Sequence, residues 1–141
     1  MAQLTGKTII ITGSSRGVGA DTAQILAAEG ANIVVNYRSK APRANKIVKA
    51  IEEAGGKAIA VQADVTNNED LQNLVNTAVE TFGSLDYLIL NASGGMETGM
   101  GEDYAMRLNR DAQLNLARLA AEKMPEGARI VFVTSHQAHF I

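Results

Sequence analysis

The sequence lacks cysteine and tryptophan and contains only two prolines among its 141 residues. Without cysteine the chain forms neither disulfides nor thiolate metal sites, which suits a reducing compartment, so we expect a cytoplasmic protein. No apolar run approaches the roughly 20 residues that cross a bilayer, and the N-terminus lacks the apolar stretch of a signal peptide. We therefore expect no membrane partner.

Basic side chains are not in excess either. Thirteen basic and fifteen acidic residues give a net charge of −2, and we expect no nucleic-acid partner because phosphate binding requires a basic surface. Hydrophobic residues make up 46% of the sequence and charged residues 20%. This balance is typical of a folded globular domain and excludes disorder as the main state.

Short apolar β-branched runs alternate with longer amphipathic segments along the whole chain. Strands are predicted at 8–11, 33–35, 58–61, 85–90 and 129–133. Helices are predicted at 17–29, from Pro42 to a stop at Gly55, at 66–82 and at 102–123. Because this alternation implies right-handed parallel crossovers, we predict an α/β fold with a doubly wound parallel sheet, strand order 3-2-1-4-5 and helices on both faces.

Local signals predict several helix boundaries and one buried helix face. Gly30 and Gly83 stand where helix-ending glycines belong, and Thr66 followed by Glu69 predicts a capping box for the third helix. The first helix is expected to turn four side chains inward: Val18, Ala23, Leu26 and Ala27.

A glycine-rich turn from Thr12 to Gly19 connects the first strand to the first helix. Its spacing is G-x-x-x-G-x-G, which differs from the common dinucleotide fingerprint G-x-G-x-x-G and from a Walker loop. Glycines permit close backbone approach to phosphate, and the helix N-terminus supplies free N–H groups and a partial positive charge. This turn is therefore a predicted pyrophosphate-binding loop.

The same turn resembles the cofactor loop of the short-chain dehydrogenase/reductase family, and further motifs agree. Asp64-Val65 matches the pair that holds the adenine ring, and Asn91-Ala92-Ser93-Gly94 resembles the Asn-Ala-Gly motif with Ser93 in place of its glycine. The resemblance covers the whole chain and implies a Rossmann-like NAD(P)-binding domain over residues 1–141. It implies these cofactor-binding residues: Gly13, Ser15, Arg16, Gly17, Val18, Gly19, Tyr37, Arg38, Ser39, Asp64, Val65, Asn91, Ala92 and Ser93.

The end of the second strand favours NADP over NAD. An NAD site of this type places a carboxylate there against the ribose 2′-hydroxyl, whereas this sequence reads Asn36-Tyr37-Arg38-Ser39. Arg38, together with Arg16 in the glycine loop, can pair with a 2′-phosphate, and the Ser39 hydroxyl can donate a hydrogen bond to it.

The resemblance implies hydride transfer between the nicotinamide ring and a carbonyl or alcohol carbon. Ser135 matches the serine that hydrogen-bonds the substrate oxygen, and Asn109 matches the asparagine of the proton relay, with Asn115 as the alternative. His136 and His139 lack a carboxylate partner, so no metal site is expected.

The family's catalytic tyrosine, with a lysine four residues later, has no counterpart in this sequence, since Tyr37, Tyr87 and Tyr104 all lack that lysine. The chain thus resembles an N-terminal half, truncated before the Tyr-x-x-x-Lys helix, and we expect it to be inactive alone. If it ends at Ile141, we expect bare apolar surface and self-association.

The resemblance suggests a small carbonyl or alcohol substrate, similar to 3-oxoacyl thioesters, and a homo-oligomer for the full-length protein. A dinucleotide-binding module without turnover is the alternative. A methyltransferase that uses S-adenosylmethionine fits less well, because it would favour an acidic residue after the second strand.

Overall fold

The computed structural model describes residues 4–15, 17–39, 41–91 and 102–133, with the backbone alone for 102–110 and 133. Strands and helices alternate throughout the described residues, as predicted. The strands are β1 (Thr8–Ile11), β2 (Asn32–Tyr37), β3 (Lys57–Gln62), β4 (Tyr87–Asn91) and β5 (Arg129–Val133). The helices are α1 (Gly17–Ala28), α2 (Ala41–Glu53), α3 (Asn68–Phe82) and α4 (Glu102–Ala121).

All five strands pair in parallel in the order β3-β2-β1-β4-β5, which confirms the predicted fold and strand order. Ile10 of β1 lies opposite Val34 of β2 and Leu88 of β4. Parallel pairing brings the carboxyl ends of the strands to one edge of the sheet, where the glycine-rich turn also lies.

Successive side chains of β1 point to opposite faces of the sheet, so the hydrophobic core has one part on each face. Ile10 packs with residues of α3 and α4, among them Leu74 and Leu116. Ile9 and Ile11 pack on the other face with residues of α1 and α2. Burying an aliphatic side chain of this size stabilises a fold by about 1.5–3 kcal/mol, so both helical layers are held mainly by β-branched and leucine side chains.

The first helix differs from the prediction at Val18. The side chain of Val18 is 57% exposed, whereas Ala20, Ala23 and Ala27 are buried. At 3.6 residues per turn, Val18 falls almost opposite Ala20 around the helix axis. Small residues form the inner face of α1, and Val18 is presented at the rim of the glycine turn instead.

The predicted capping box at Thr66 is wrong. The N-cap of α3 is Asn67, whose side chain accepts a hydrogen bond from the Asp70 backbone N–H at 3.0 Å. Thr66 is not free to cap, because its hydroxyl donates to the carboxylate of Asp64 at 2.6 Å. The predicted helix end at Gly83 is confirmed, with φ +91° and its N–H bonded to the Val79 carbonyl.

None of the described helices is long and apolar enough to cross a bilayer. The outer strand β5 nevertheless carries exposed apolar side chains: Val131 is 42% exposed and Phe132 is 51% exposed. In the described part of the chain β5 pairs only with β4, and no described strand pairs with its other edge. Such an edge is a template for pairing with another strand.

We predict that a polypeptide of these 141 residues self-associates through β5. Phe132→Lys places a charge on that edge and should shift the polypeptide toward monomer in sedimentation velocity runs at increasing concentration. Ile25→Lys is the matched control, because Ile25 on α1 is 64% exposed but lies away from the sheet edge. A monodisperse monomer before substitution, or equal effects of both substitutions, contradicts the prediction.

Candidate functional site

Three described loop segments and the end of β4 meet at the carboxyl edge of the sheet. The segments follow β1 (residues 12–15), β2 (38–39) and β3 (63–67), and β4 ends there at Asn91. Ligands of open α/β sheets bind in the crevice at this edge, where the strand order reverses. The reversal here lies between β1 and β4, beside the glycine turn.

The glycine turn packs so closely against the start of α1 that position 19 has no space for a side chain. Gly13 and Gly17 both have φ +62°, a left-handed conformation that glycine adopts without strain. A Cβ at Gly19 would lie 2.6 Å from the Gly13 carbonyl oxygen and 2.7 Å from Nδ2 of Asn91. The first turn of α1 therefore packs directly on the loop backbone and on β4.

Two buried polar residues attach this loop to β2. The Gly13 N–H donates to Oδ1 of Asn36 at 3.0 Å, and the Ser14 N–H donates to the Asn36 carbonyl at 3.2 Å. The Ser14 hydroxyl donates to the Ile11 carbonyl at 2.7 Å and accepts from the Asn36 N–H at 3.0 Å. The sequence analysis missed both roles, although a polar Asn36 directly after the apolar run 33–35 was a usable signal.

A second polar cluster joins β1, β4 and α4. The Asn91 N–H donates to the Thr12 hydroxyl at 3.0 Å, and that hydroxyl donates to Oε1 of Gln113 at 3.3 Å. Nε2 of Gln113 donates to the Asn91 carbonyl at 3.3 Å. Gln113 was also missed, and its signal was a polar residue three positions before Leu116 on the buried face of α4.

Asn91 also touches the glycine loop. Its Nδ2 donates to the Gly13 carbonyl at 3.4 Å, and the residue is only 5% exposed. Its Oδ1 is buried and has no hydrogen-bond partner among the residues that the structure describes. A buried acceptor is costly to leave unpaired, so this atom is available to a donor at the site.

Opposite charges flank the loops after β2 and β3. Arg38 is 73% exposed, and its Nε lies 3.9 Å from Oδ2 of Asp64. Oδ1 of Asp64 accepts hydrogen bonds from the Thr66 hydroxyl at 2.6 Å and the Thr66 N–H at 2.9 Å. These two bonds lower the pKa of Asp64 below its ordinary value, against the opposing effect of partial burial, and the Arg38 charge lowers it further.

The predicted cofactor-binding residues that the structure describes lie at this edge: Gly13, Ser15, Gly17, Val18, Gly19, Tyr37, Arg38, Ser39, Asp64, Val65 and Asn91. Arg16, Ala92, Ser93 and Ser135 lie outside the described residues, as do His136 and His139.

The two candidate relay residues both lie on α4. For Asn109 the structure describes the backbone alone. Nδ2 of the alternative, Asn115, donates to Oδ1 of Asn68 on α3, so that amide contacts another helix and not the glycine loop. Within the described ranges, no group of three or more His, Asp or Glu side chains could hold a metal ion.

The family model described as short chain dehydrogenase matches residues 7–140. The chain belongs to the short-chain dehydrogenase family. The parallel sheet and helical layers described above superpose on part of a solved short chain dehydrogenase.

Several relatives of the family are similar over nearly the whole chain. An uncharacterised oxidoreductase of Methylorubrum extorquens is 41% identical, over 96% of this chain and 57% of that protein. Versicolorin reductase 1 of Dothistroma septosporum is 38% identical, over 96% of this chain and 54% of that protein. A short chain dehydrogenase of Burkholderia cenocepacia, crystallised with NADP, superposes with a TM-score of 0.81 at 38% identity, covering 92% of this chain and 56% of that one. The chain thus spans little more than half the length of these relatives.

The Thr66 hydrogen bonds to Asp64 predict a pH-dependent contribution to stability. A carboxyl whose folded pKa is lowered stabilises the fold at pH values above its unfolded pKa, and this contribution is lost as pH falls through the folded pKa. Thr66→Val should therefore lower the free energy of unfolding at neutral pH by about 1 kcal/mol, because solvent screens a bond to a partly exposed carboxylate. Urea denaturation at a series of pH values should show this deficit shrinking in acid.

The matched control is Thr77→Val. The Thr77 hydroxyl donates to the neutral Asn73 amide on α3 at 3.4 Å, so any effect of this substitution should not depend on pH. A deficit for Thr66→Val that stays constant down to acidic pH contradicts the prediction.

Proposed function

We propose that residues 1–141 form a Rossmann-like domain that binds a nicotinamide dinucleotide, NADP in preference to NAD, as part of an oxidoreductase. The observation that carries this proposal is the cradle between β1 and α1, where a Cβ at Gly19 would meet Gly13 and Asn91. A loop that admits no side chain lets its backbone approach a pyrophosphate closely. The N-terminal N–H groups of α1 favour the negative charge.

The residues around the cradle fit the remaining parts of a dinucleotide. The unpaired Oδ1 of Asn91 can accept a hydrogen bond from a bound group beside the loop. The lowered pKa of Asp64 supports an ionised carboxylate that accepts from the adenine amino group. Half-buried Val65 supplies apolar contact next to it, and Ser15 and Val18 line the rim of the loop.

The preference for NADP rests on Arg38 and Ser39, which are both exposed at the end of β2. Because an exposed ion pair at 3.9 Å contributes little free energy, Arg38 can leave Asp64 and pair with a ribose 2′-phosphate. The NADP complex of the Burkholderia cenocepacia relative supports this choice. Arg16 in the glycine loop and Tyr37 are proposed to border the same phosphate and ribose.

For catalysis we propose the roles that the family resemblance implies. The bound nicotinamide supplies or accepts the hydride. Ser135 would donate a hydrogen bond to the substrate oxygen, and Asn109 would hold a water molecule for proton transfer. No tyrosine of the sequence is followed by lysine four residues later, so these 141 residues are proposed to bind cofactor without turning over substrate.

The substrate is proposed to be a small carbonyl compound or alcohol, with 3-oxoacyl thioesters as the first class to test and a homo-oligomer as the full-length assembly. The name of the Dothistroma septosporum relative, a reductase, supports reduction as the direction. A second candidate is a binding module without turnover, favoured by the missing tyrosine and lysine pair. Because both candidates expect the 141 residues alone to be inactive, the assay that separates them uses the full-length protein, where consumption of NADPH with a 3-oxoacyl thioester would exclude the second candidate.

Arg38→Gln tests the cofactor preference. Calorimetric titration of the unmodified chain should show tighter binding of NADPH than of NADH. The substitution should weaken NADPH binding by about 10-fold to 100-fold, the value of one charge-assisted hydrogen bond, and leave NADH unchanged. Arg118→Gln, at an exposed arginine on α4, should alter neither affinity. Equal losses for both nucleotides in Arg38→Gln would refute a role at the 2′-phosphate.

Gly19→Ala tests the cradle. The added methyl group should destabilise the fold by about 1–3 kcal/mol through overpacking, and it should abolish measurable dinucleotide binding because the loop must move. Gly30→Ala is the matched control, since its Cβ would lie 2.6 Å from the Thr5 hydroxyl at the opposite edge of the sheet. That variant should lose stability, measured by urea denaturation, and keep its affinity. Retained binding in Gly19→Ala would contradict the proposed phosphate site.

A further inference from the structure

Asn36 is a buried polar residue that directly follows the apolar stretch of β2. Its exposed fraction is 3%, and the strand residues before it, Ile33, Val34 and Val35, are fully buried. Burying an amide is unfavourable unless both of its ends are hydrogen-bonded. The partners of the buried Asn36 amide therefore show which segments it connects.

One end of the Asn36 side chain binds the glycine loop. Oδ1 accepts from the Gly13 N–H at 3.0 Å, while the backbone of Asn36 exchanges hydrogen bonds with Ser14. The loop that follows β1 is thereby attached to the end of β2 at two successive residues.

The other end of the side chain binds the end of β3. Nδ2 lies 3.4 Å from the Val61 carbonyl oxygen and 3.3 Å from the Ala63 carbonyl oxygen. Ala63 directly precedes Asp64. The Gly13 N–H requires an acceptor, and the Val61 and Ala63 carbonyl oxygens require a donor. A carboxamide supplies both, because it has an acceptor oxygen and a donor nitrogen.

We propose that Asn36 is a positioning residue for the dinucleotide: its carboxamide sets the distance between the phosphate-binding glycine loop and the adenine-binding turn at Asp64. This inference rests on the proposed function, because those two segments hold the two ends of the same ligand. The residue is 3% exposed and both ends of its amide are hydrogen-bonded within the chain, so Asn36 acts through Gly13 and Ala63. It contributes to affinity by holding both segments ready before binding.

Asn36→Asp separates the two ends of this interaction. The carboxylate still accepts from the Gly13 N–H, but it faces the Val61 and Ala63 carbonyl oxygens without a proton to donate. Burial and these oxygens should raise the pKa of the new carboxyl group. Charged groups adjoin the segments that this side chain contacts: the Asp64 carboxylate after Ala63, the Asp70 carboxylate that accepts from the Asp64 N–H at 2.9 Å, and the Arg38 guanidinium paired with Asp64. The two carboxylates also raise that pKa, and the guanidinium opposes the rise. Once protonated, the carboxyl group restores a donor and resembles the amide.

The test compares calorimetric affinities for NAD⁺ and NADP⁺, which are stable in acid, across a pH series. At about pH 8, Asn36→Asp and Asn36→Leu should each weaken binding of both nucleotides by about 10-fold or more, the value of lost buried hydrogen bonds. Toward about pH 5.5, Asn36→Asp should recover and Asn36→Leu should not, relative to the unmodified chain. If Asn36→Leu fails to fold, Asn36→Ser, which removes the amide without adding bulk, takes its place.

Asn32→Asp is the matched control. Asn32 lies four residues earlier on β2 at the opposite edge of the sheet, where its Nδ2 is 3.5 Å from the Thr8 hydroxyl, and its substitution should leave affinity unchanged. Unchanged affinity of the folded Asn36 variants, with only their thermal midpoint lowered, overturns the positioning role while the proposed function stands. Failure of the unmodified chain to bind either nucleotide overturns both.

Discussion

The contact of Gly19 with Gly13 and Asn91 is the constraint on which the rest of the site depends. A Cβ at Gly19 would lie within 2.7 Å of atoms from both residues, so α1 begins directly against the backbone of the preceding loop. This close approach aims the start of α1 at the edge of the sheet. The close approach also agrees with the small size of the buried residues of α1, which are glycine and alanine.

Hydrogen bonds from buried polar side chains hold that loop in place. Asn36 and Ser14 attach it to β2, and Thr12 connects it to Asn91 and Gln113. An apolar core could hold the sheet together but could not fix the orientation of loop N–H groups, since dispersion forces lack direction. The polar network at one edge therefore provides the orientation, and the two hydrophobic layers provide the stability.

Periodicity and glycine placement predict the helices, the strands and their succession along the chain. These features depend on residues that are close together in the sequence. The errors arise where a distant partner decides. Thr66 caps no helix because Asp64 takes its hydroxyl, and the phase of α1 exposes Val18 because Gly19 must face Asn91. A polar residue beside an apolar pattern marks Gln113 and Asn36 as unusual, but their partners lie 101 and 23 residues away, and local sequence does not identify those partners.

The relative size of the interactions at Asp64 determines whether its carboxylate depends on the neighbouring Arg38 charge. The largest influences on the lowered pKa of Asp64 are the two hydrogen bonds from Thr66, and the Arg38 charge comes after them. Asp64 can therefore stay ionised when Arg38 turns away. In the proposed NADP complex the exposed guanidinium of Arg38 would exchange this carboxylate for a phosphate, while Nε2 of Gln62 donates to the Arg38 backbone carbonyl at 2.9 Å. An adjacent carboxylate is thus compatible with an anion site, because its charge is stabilised locally by Thr66.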